Sequence, residues 1–347
     1  MVPRPLTARP TAALGTSGAV TSSHPAVSAI GARVLADGGN AFDATLAMAA
    51  LSWLVLPGQC GIGGDAFVLV HEAGGAVWSA SGSGFGPDGG TPDFYRDRGL
   101  STLPLEGALA VAVPGAAGVV DLLHRRATRS LDELWAPAIR AATGGVPCTP
   151  KTLADVTQHA DALAADPDAA SVFLPGGVLP RIGDLIRQPA LAETLSRLGH
   201  DLAAFHDGWF ADRALAHLQH SGAPFSGEEW ALAGEVPTEA AITTTYGGHE
   251  LHETPLPSPG WMVLHQARLL DGELAGREQL DAESIHWFAE AARASFRHRF
   301  EHGSSDTDGW RDALGEESVS RTRQDIRAHA ASPASGVVPV GDTTSSV

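Results

Sequence analysis

The amino-acid sequence predicts an α+β protein whose elements pack in layers. Segments of strand-like composition occur near the start of the chain and again past its middle, and helical segments dominate between them. Their order is strand, two helices, hairpin and many helices, which is not the regular β-α alternation of a doubly wound sheet. The composition, 44% apolar and 18% charged, supplies enough apolar side chains for a buried core.

The first predicted elements are a short strand and two helices. Residues Gly18–Ser23 have the composition of a strand, and the helix that follows has Ser23 or Thr21 as its predicted cap. A glycine-rich turn then leads to Asn40, which we expect to cap a second helix over Ala41–Leu56. Because this second helix is apolar nearly all round, it is predicted to lie between two layers.

A β-hairpin and a longer series of helices complete the predicted order. Residues Ala66–Val70 and Ala76–Ala80 flank Gly74-Gly75, a pattern that predicts two antiparallel strands joined by a tight turn. A glycine-rich loop then occupies Gly82–Thr91. The later predicted segments are helices at Ala116–Arg126, Leu131–Thr143 and, in broken form, Thr149–Leu218, a strand region at Ala240–Glu253, a stiff loop at Pro255–Gly260, and helices at Trp261–Leu270 and Ala282–Glu301.

Charge and composition argue against several classes of partner. The formal net charge of −17 disfavours nucleic acid and anionic membranes. Residues Met1–Thr16 lack the continuous apolar core of a secretory signal, and the apolar run Ala41–Leu56 carries Asp43 and is short for a bilayer span. Cys60 and Cys148 are the only cysteines, which favours a reducing compartment. We therefore expect a cytoplasmic protein without a nucleic-acid or membrane partner.

The sequence predicts no metal ion and no organic cofactor. Residues Gly61–Asp65 are glycine-rich, but they follow a helix and precede a strand, the reverse of a dinucleotide-binding turn. His249 and His252 do not have the four-residue spacing of a helical zinc pair, and in a strand they face opposite sides. Cys60 has no identifiable histidine partner, and the segment Ser81–Gly84 lacks the spacing of a serine nucleophile elbow.

The best-placed nucleophile in the chain is a threonine near its end. The segment Gly341-Asp342-Thr343-Thr344 follows a stretch rich in alanine, serine, proline and valine at Ala330–Val340. A threonine that becomes N-terminal through cleavage can act as nucleophile with its own amine as the base. Taken alone, the same segment is more typical of a disordered tail rich in serine and threonine, so the rest of the chain must decide.

Several segments, taken together and in order, resemble the gamma-glutamyltransferase family of N-terminal-nucleophile hydrolases. The matching segments are Gly18–Pro25, Gly38–Ala44, Gly61–Gly64, Val113–Gly115, Ala136–Arg140, Pro255–Gly260, Glu290–Arg293 and Gly341–Thr344. They follow the order of the family's landmarks and cover essentially the whole chain.

The resemblance implies a fold, a reaction and a partner. It implies a four-layer αββα sandwich formed by a large N-terminal and a small C-terminal subunit of one precursor, of which this chain is the large-subunit portion. It implies self-cleavage between Asp342 and Thr343, after which Thr343 attacks a gamma-glutamyl amide, such as glutathione, and forms an acyl-enzyme. Water or an acceptor amine then releases the acyl group, without a metal or cofactor.

One substrate-binding position departs from the family pattern. The family's carboxylate-binding loop reads Asp-x-Arg-Glu-x-Ala-Pro, and the matching stretch here is Ser81–Pro87, with Ser83 in place of the arginine. A serine cannot replace the bidentate contact of a guanidinium with a carboxylate. Ser83 is therefore a candidate substrate-binding residue for a different amide, as in branches of the family that act on non-glutamyl substrates.

The resemblance also predicts a division of the chain. We expect a disordered tail at residues 1–16, the large-subunit domain at 17–329, and a linker at 330–347 that contains the cleavage junction and the first residues of the small subunit. Because the chain continues five residues past Asp342 without the rest of a small subunit, we expect a truncated precursor, a gene fragment or half of a split gene. Because the small subunit supplies the oxyanion donors in the family, we expect this chain to be inactive alone. The alternatives are a non-catalytic remnant or interaction subunit of the same fold.

Overall fold

A computed structural model of the protein describes residues 13–277, 281–302 and 309–328. The helices in these residues are α1 (Pro25–Ala36), α2 (Ala41–Val55), α3 (Pro92–Arg96), α4 (Ala116–His124), α5 (Leu131–Gly144), α6 (Pro150–Gln158), α7 (Ala160–Ala165), α8 (Pro167–Phe173), α9 (Pro189–His200), α10 (Trp209–His220), α11 (Gly227–Leu232), α12 (Gly260–Leu270), α13 (Ala282–His302), α14 (Gly309–Ala313) and α15 (Glu316–Ala328). The strands are β1 (Ala66–His71), β2 (Val77–Gly82), β3 (Val146–Pro147), β4 (Leu185–Ile186), β5 (Thr238–Ala240), β6 (Ile242–Tyr246) and β7 (His249–Glu253).

The described residues divide into two compact units, the first of which comprises residues 13–62 and 120–208. It is mainly helical: α1 packs on α2, α2 on α5, and α5 on α9. Two-thirds of the residues of α2 are buried, as the apolar sequence predicts for a helix between neighbours. Trp135 of α5 is fully buried, and its ring meets that of Trp53 edge-on with the ring centres 5.7 Å apart.

The start of α2 is held by a buried carboxylate, Asp43. The Asn40 side chain caps the helix by accepting a hydrogen bond from the Asp43 amide at 2.9 Å, and Asp43 accepts in return from the Asn40 amide at 2.7 Å. The same carboxylate accepts hydrogen bonds from the amide and hydroxyl of Thr128, at 2.9 and 2.7 Å, and from the amide of Arg129, at 3.0 Å. Of the four donors to this carboxylate, the three from Thr128 and Arg129 fix the loop before α5 onto the start of α2.

The second unit comprises residues 63–119 and 209–328 within the described ranges, and its strands form small antiparallel sheets. The predicted hairpin is confirmed as β1 and β2, with Ala66 opposite Gly82, and β5 pairs with the free edge of β2. The strand region predicted at Ala240–Glu253 contains a second hairpin, β6 and β7. Its turn is Gly247-Gly248, where φ is +58° and +79°, the geometry that a two-residue hairpin loop requires.

The later helices of this unit bury large aromatic side chains. One core cluster contains Trp287 of α13 with Leu269 of α12, and another contains Trp261 of α12 with Trp310 of α14. His265 of α12 is buried beside them, and its Nδ1 lies 3.0 Å from the hydroxyl of Ser295. Burial, with smaller effects of His298 and Arg268, lowers the pKa of His265 to about 4, so the ring is neutral at pH 7.

Two early predictions are wrong. Residues 18–22 form no strand, because they have no ladder partner among the described residues; the Ser22 hydroxyl instead bonds with Ser28 and with the carbonyl of His24. The cap of α1 is His24, whose Nδ1 accepts from the amide of Ala26, and not Ser23 or Thr21.

Among the described helices, none combines the length and apolar character that crossing a bilayer requires. The predicted boundaries at residues 16 and 329 stay a prediction.

Candidate active-site loops

Ser83 lies immediately after β2, at the start of the glycine-rich loop that the sequence singled out. Its amide donates to the hydroxyl of Ser81 at 3.4 Å, and its own hydroxyl donates to the carbonyl of Gly84 at 3.1 Å. Both serines are half-buried. A serine hydroxyl that donates locally retains acceptor capacity, so Ser83 can still accept a hydrogen bond from a neutral ligand.

The backbone at Gly82 and Gly84 crosses the segment Val113–Gly115 at a distance that admits no side chain. A Cβ at Gly82 would overlap the carbonyl of Gly115, and one at Gly84 would overlap the carbonyl of Val113. Gly84 also has φ at +71°, which L-residues rarely adopt. The amide of Val113 donates to the carbonyl of Phe85 at 2.8 Å and closes the crossing. Two segments that resemble the family pattern, Ser81–Pro87 and Val113–Gly115, are therefore packed directly against each other.

The far end of this loop is anchored by a buried glutamate, Glu229. The amide of Asp88 donates to Glu229 Oε2, and the amide of Ser226 donates to Oε1, each at 2.6 Å. Glu229 is only 2% exposed and forms the capping box at the start of α11 with Ser226. Ser226 and Glu229 have capping-box spacing, so the sequence indicates the cap. Nothing in the sequence indicates that Glu229 also binds the amide of Asp88, 141 residues earlier.

The loop after β2 contains no positively charged side chain. Residues 79–91 contain no lysine and no arginine, and their only charged side chain is the carboxylate of Asp88. Hydroxyls, backbone amides and the half-exposed ring of Phe85 are what the loop presents. Such groups can hydrogen-bond or pack against an acyl chain, but they cannot form an ion pair with a substrate carboxylate.

The loop at Pro255–Gly260 closes on a buried serine. The hydroxyl of Thr254 donates to Ser258 Oγ at 2.6 Å, and the amide of Gly260, the first residue of α12, donates to the same oxygen at 3.2 Å. Gly260 lies against the carbonyl of Thr254 and the side chain of Glu253, so a Cβ there would be within 2.9 Å of both. Burial raises the pKa of Glu253 even though the amide of Thr254 donates to its carboxylate.

The histidines and cysteines that the sequence analysis weighed also lie within the described residues. No group of three or more His, Cys, Asp or Glu side chains there could hold a metal ion. Neither cysteine forms a disulfide, and burial, followed by the charge of Asp184, raises the pKa of Cys148 and disfavours its thiolate. His249 and His252 are part of β7. The predicted nucleophile Thr343 and the junction Gly341–Thr344 lie outside the described residues.

Comparison with known sequences gives one family. The sequence model of the family described as gamma-glutamyltranspeptidase matches residues 27–346. Among curated proteins, the chain is 32% identical over 292 residues to the glutathione hydrolase-like YwrD proenzyme of Bacillus subtilis strain 168, which covers 82% of this chain and 55% of that protein. The chain spans about half the length of the curated relatives it matches.

Comparison with solved structures finds chains of the same fold. A gamma-glutamyltranspeptidase from Helicobacter pylori superposes with a TM-score of 0.84 at 24% identity, over 91% of this chain and 93% of that one. A cephalosporin acylase from Bacillus halodurans superposes with a TM-score of 0.84 at 26% identity, over 97% of this chain and 65% of that one.

Proposed function

Because this chain belongs to the gamma-glutamyltranspeptidase family, we propose that it carries the nucleophile and the acyl-binding loops of a self-processing amidase. Its structural neighbours confirm the α+β fold of the N-terminal-nucleophile hydrolases that the resemblance implied. The observation that supports the proposal best is the extent of the family match. It runs through residue 346 and so includes the junction Gly341–Thr344.

The first step of the proposal is self-cleavage. The Thr343 hydroxyl attacks the carbonyl carbon of Asp342, and the peptide is exchanged for an ester as the amide nitrogen of Thr343 takes up the proton. Water then hydrolyses the ester, leaving a carboxyl group on Asp342 and a free amine on Thr343. The new amine stands next to the hydroxyl as its base.

The second step is acyl transfer from an amide substrate. The Thr343 hydroxyl attacks the substrate carbonyl, its proton passes through the threonine amine to the leaving amine, and an ester to the enzyme forms. Water gives hydrolysis, and an acceptor amine gives a new amide. On this proposal the 347-residue chain alone turns over no amide, because the family resemblance implies that the oxyanion donors belong to the small subunit.

Two substrate classes compete at the acyl-binding loop. Gamma-glutamyl amides, including glutathione, are the class suggested by the curated relatives, which are glutathione hydrolase and glutathione hydrolase-like proenzymes. Amides of acyl groups without an α-carboxylate are favoured by Ser83 and by the absence of any lysine or arginine at residues 79–91. The cephalosporin acylase among the structural neighbours supports the second class.

The cleavage step is tested with a precursor in which residues 1–347 are continued by a family small subunit. We expect two fragments on denaturing gels, none from Thr343→Ala, and slower cleavage by Thr343→Ser, which keeps a hydroxyl. Cleavage of the Thr343→Ala variant at the same bond contradicts the nucleophile. An uncleaved precursor with an intact fold supports the alternative, a non-catalytic remnant.

The substrate class is tested on the cleaved protein with a gamma-glutamyl anilide and a matched butyryl anilide that lacks the α-amine and α-carboxylate. We expect kcat/KM for the butyryl compound to equal or exceed that for the glutamyl compound. The Ser83→Arg variant should raise the glutamyl-to-butyryl ratio of kcat/KM about tenfold or more, the effect of one charge-assisted contact. A wild-type preference for the glutamyl compound favours the first class.

A further inference from the structure

A small cavity lies between helices α12, α13 and α15 of the second unit. Its buried end is lined by His265, Glu290 and Ile326, which are 2%, 3% and 4% exposed. Glu301 and Asp325 line its mouth and are exposed to solvent. The volume of the cavity is about 110 Å³, and a water molecule takes about 30 Å³ of the liquid, so there is room for a ligand of a few non-hydrogen atoms. We call this space the His265 cavity.

The ring of His265 carries a lone pair that no described residue uses. The Ser295 hydroxyl donates to the carbonyl of Ala291 at 3.0 Å. Because a hydroxyl has one proton, the contact of 3.0 Å between Ser295 Oγ and His265 Nδ1 has Nδ1 as its donor. A neutral ring with its proton on Nδ1 has an acceptor lone pair on Nε2. Nε2 is buried and has no hydrogen-bonding partner among the described residues.

The lone pair of Nε2 faces the His265 cavity. His265 lines the cavity, whereas Ser295, which binds the Nδ1 side of the ring, does not. The ring therefore borders the cavity with the edge that carries Nε2. A buried acceptor without a donor destabilises a folded protein, and most buried polar groups in native proteins have a partner. The lone pair thus points to a bound hydrogen-bond donor, independently of the charges nearby.

The charges around the cavity favour a cation. Three carboxylates line it, those of Glu290, Glu301 and Asp325, against the single guanidinium of Arg297. Glu290 also pairs with Arg293 at 3.1 Å. With both arginines counted, one negative charge remains, and an ionised carboxylate has several lone pairs to offer beyond one partner. A small cation at the mouth of the cavity therefore meets a complementary charge.

The hydrogen-bonding groups favour a cation with several N–H donors. The Thr322 hydroxyl donates to the carbonyl of Ser318 at 2.9 Å, so its acceptor capacity is what it offers the cavity. The charge of Arg268, which acts on His265, is paired with Glu316 at 2.6 Å. Water brings two protons, whereas a primary ammonium group brings three, enough for Nε2 and two carboxylates at once. The cavity does not match a metal ion, since no group of three or more His, Cys, Asp or Glu side chains in the described ranges could hold one.

We propose that the His265 cavity binds a small ammonium-type cation, either the ammonium ion or a short primary amine in its protonated form. Its N–H groups donate to His265 Nε2 and to the carboxylates of Glu301 and Asp325, and Ile326 gives apolar contact to one or two carbon atoms. The bound ion connects α12, α13 and α15 and so stabilises their packing. Binding does not depend on the proposed function, although the amine that such an amidase releases belongs to the same chemical class.

The test is an NMR titration of the 347-residue chain, labelled with ¹⁵N, with ammonium, ethylammonium and tetramethylammonium chlorides at equal ionic strength. Tetramethylammonium is the control ion, because it has the same charge and no N–H donor. The variants are His265→Phe, which keeps an aromatic ring without the acceptor, and Asp325→Asn, at the exposed mouth. Glu317→Gln is the control variant, because Glu317 is exposed on the same helix as Asp325 and does not line the cavity.

We expect saturable binding of ammonium or ethylammonium with a Kd in the millimolar range, since so few atoms make contacts, and no binding of tetramethylammonium. The Nε2 resonance of His265 should have the position of an unprotonated ring nitrogen and move upfield as the ion binds. Binding should be about tenfold weaker in Asp325→Asn, the loss of one charge-assisted contact, absent in His265→Phe and unchanged in Glu317→Gln. Circular dichroism shows whether His265→Phe folds, and Asp325→Asn decides the matter if it does not.

Three outcomes overturn the proposal. The first is an Nε2 resonance that does not move, or that belongs to a protonated nitrogen, because the cavity then holds water alone or lacks the lone pair. The second is equal binding of tetramethylammonium, which assigns the binding to charge without hydrogen bonds. The third is equal affinity in the parent and in the folded cavity variants, which places the ion elsewhere. The tighter of ammonium and ethylammonium identifies the ion, and the cleavage test at Thr343 is independent of all these readouts.

Discussion

The entrances to helices α2 and α12 each contain a glycine and a carboxylate, yet the two carboxylates behave in opposite ways. At α2, burial favours the neutral form of Asp43, but hydrogen bonds from the Thr128 side chain and then from backbone amides outweigh it, and the pKa of Asp43 is lowered. At α12, the carboxylate of Glu253 lies beside Gly260, and burial raises the pKa of Glu253.

The difference shows that the number of hydrogen-bond donors to a carboxylate at the start of a helix, more than its place beside the helix, decides whether its pKa is lowered or raised. The positive end of the helix dipole favours a negative charge at both sites. Asp43 collects four donors, two of them from Thr128. Glu253 has a backbone donor from Thr254, which does not offset its burial. The charge of Asp43 therefore stabilises the start of α2. At the start of α12, close packing around Gly260 determines the structure, and the charge of Glu253 opposes it.

Replacing Asp43 with asparagine should have the largest effect on stability. The amide keeps the size of the carboxylate but turns an NH2 group toward donors, leaving buried amides without an acceptor. We expect a loss of about 3 kcal/mol in the free energy of unfolding, measured by urea denaturation. Asp121→Asn is the control, since it breaks only an exposed pair with Arg125, and should cost about 0.5 kcal/mol or less. Equal losses would contradict the role given to Asp43.

Replacing Gly260 with alanine should come second. The added Cβ meets the backbone carbonyl of Thr254 and the side chain of Glu253, so the entrance must open, at a cost of about 2 kcal/mol. Gly227→Ala is a matched control, because Gly227 is also the first residue of a helix and a Cβ there meets only Leu215, at 3.9 Å. We expect Gly227→Ala to be neutral or slightly stabilising. A neutral Gly260→Ala would show that close packing does not shape this entrance.

The contribution of Asp43 should depend on pH in a defined direction. Its pKa is lower in the folded protein than the value of about 3.9 in an unfolded chain. Its stabilisation is therefore complete above about pH 4 and is lost as the pH falls through the folded pKa. We expect the difference in unfolding free energy between the parent and Asp43→Asn to be constant from pH 7 to 5 and to shrink below pH 4. A difference that persists unchanged at pH 3 would contradict the assignment.

Local signals in the sequence predicted the helix entrances better than their partners. Asn40 and the apolar run after it predicted the cap and the extent of α2, and the pattern at Ala282–Glu301 predicted α13 to within one residue. Hydrogen bonds within three residues produce such signals, so they can be recognised in a linear sequence. The strand predicted at Gly18–Ser23 failed because a strand needs a ladder partner, which local composition does not reveal.

The sequence predicted which segments form the candidate site, but it did not predict which of these segments contact each other. The loop containing Ser83 and the segment Val113–Gly115 were each recognised, but nothing in the sequence showed that their backbones cross. Three of the four donors of Asp43 lie 85 or 86 residues away from it. Such contacts depend on how separate segments pack, and a single sequence carries no local trace of them. The nucleophile Thr343 stays a prediction from its junction and its family.

The smallest expected effect is a gain in stability from Glu253→Gln. The pKa of Glu253 is higher in the folded protein than its unfolded value of about 4.3, so the stability associated with its neutral form is present below that value and lost as the pH rises through the folded pKa. Glutamine keeps the side chain neutral at every pH. We expect a small rise in Tm at pH 7 that disappears at pH 4, the reverse of the pH dependence at Asp43. Glu250→Gln, on the same strand and exposed, should not show it. A fall in Tm at pH 7 would mean that the α12 entrance also depends on a charge, and the contrast between the two entrances would be lost.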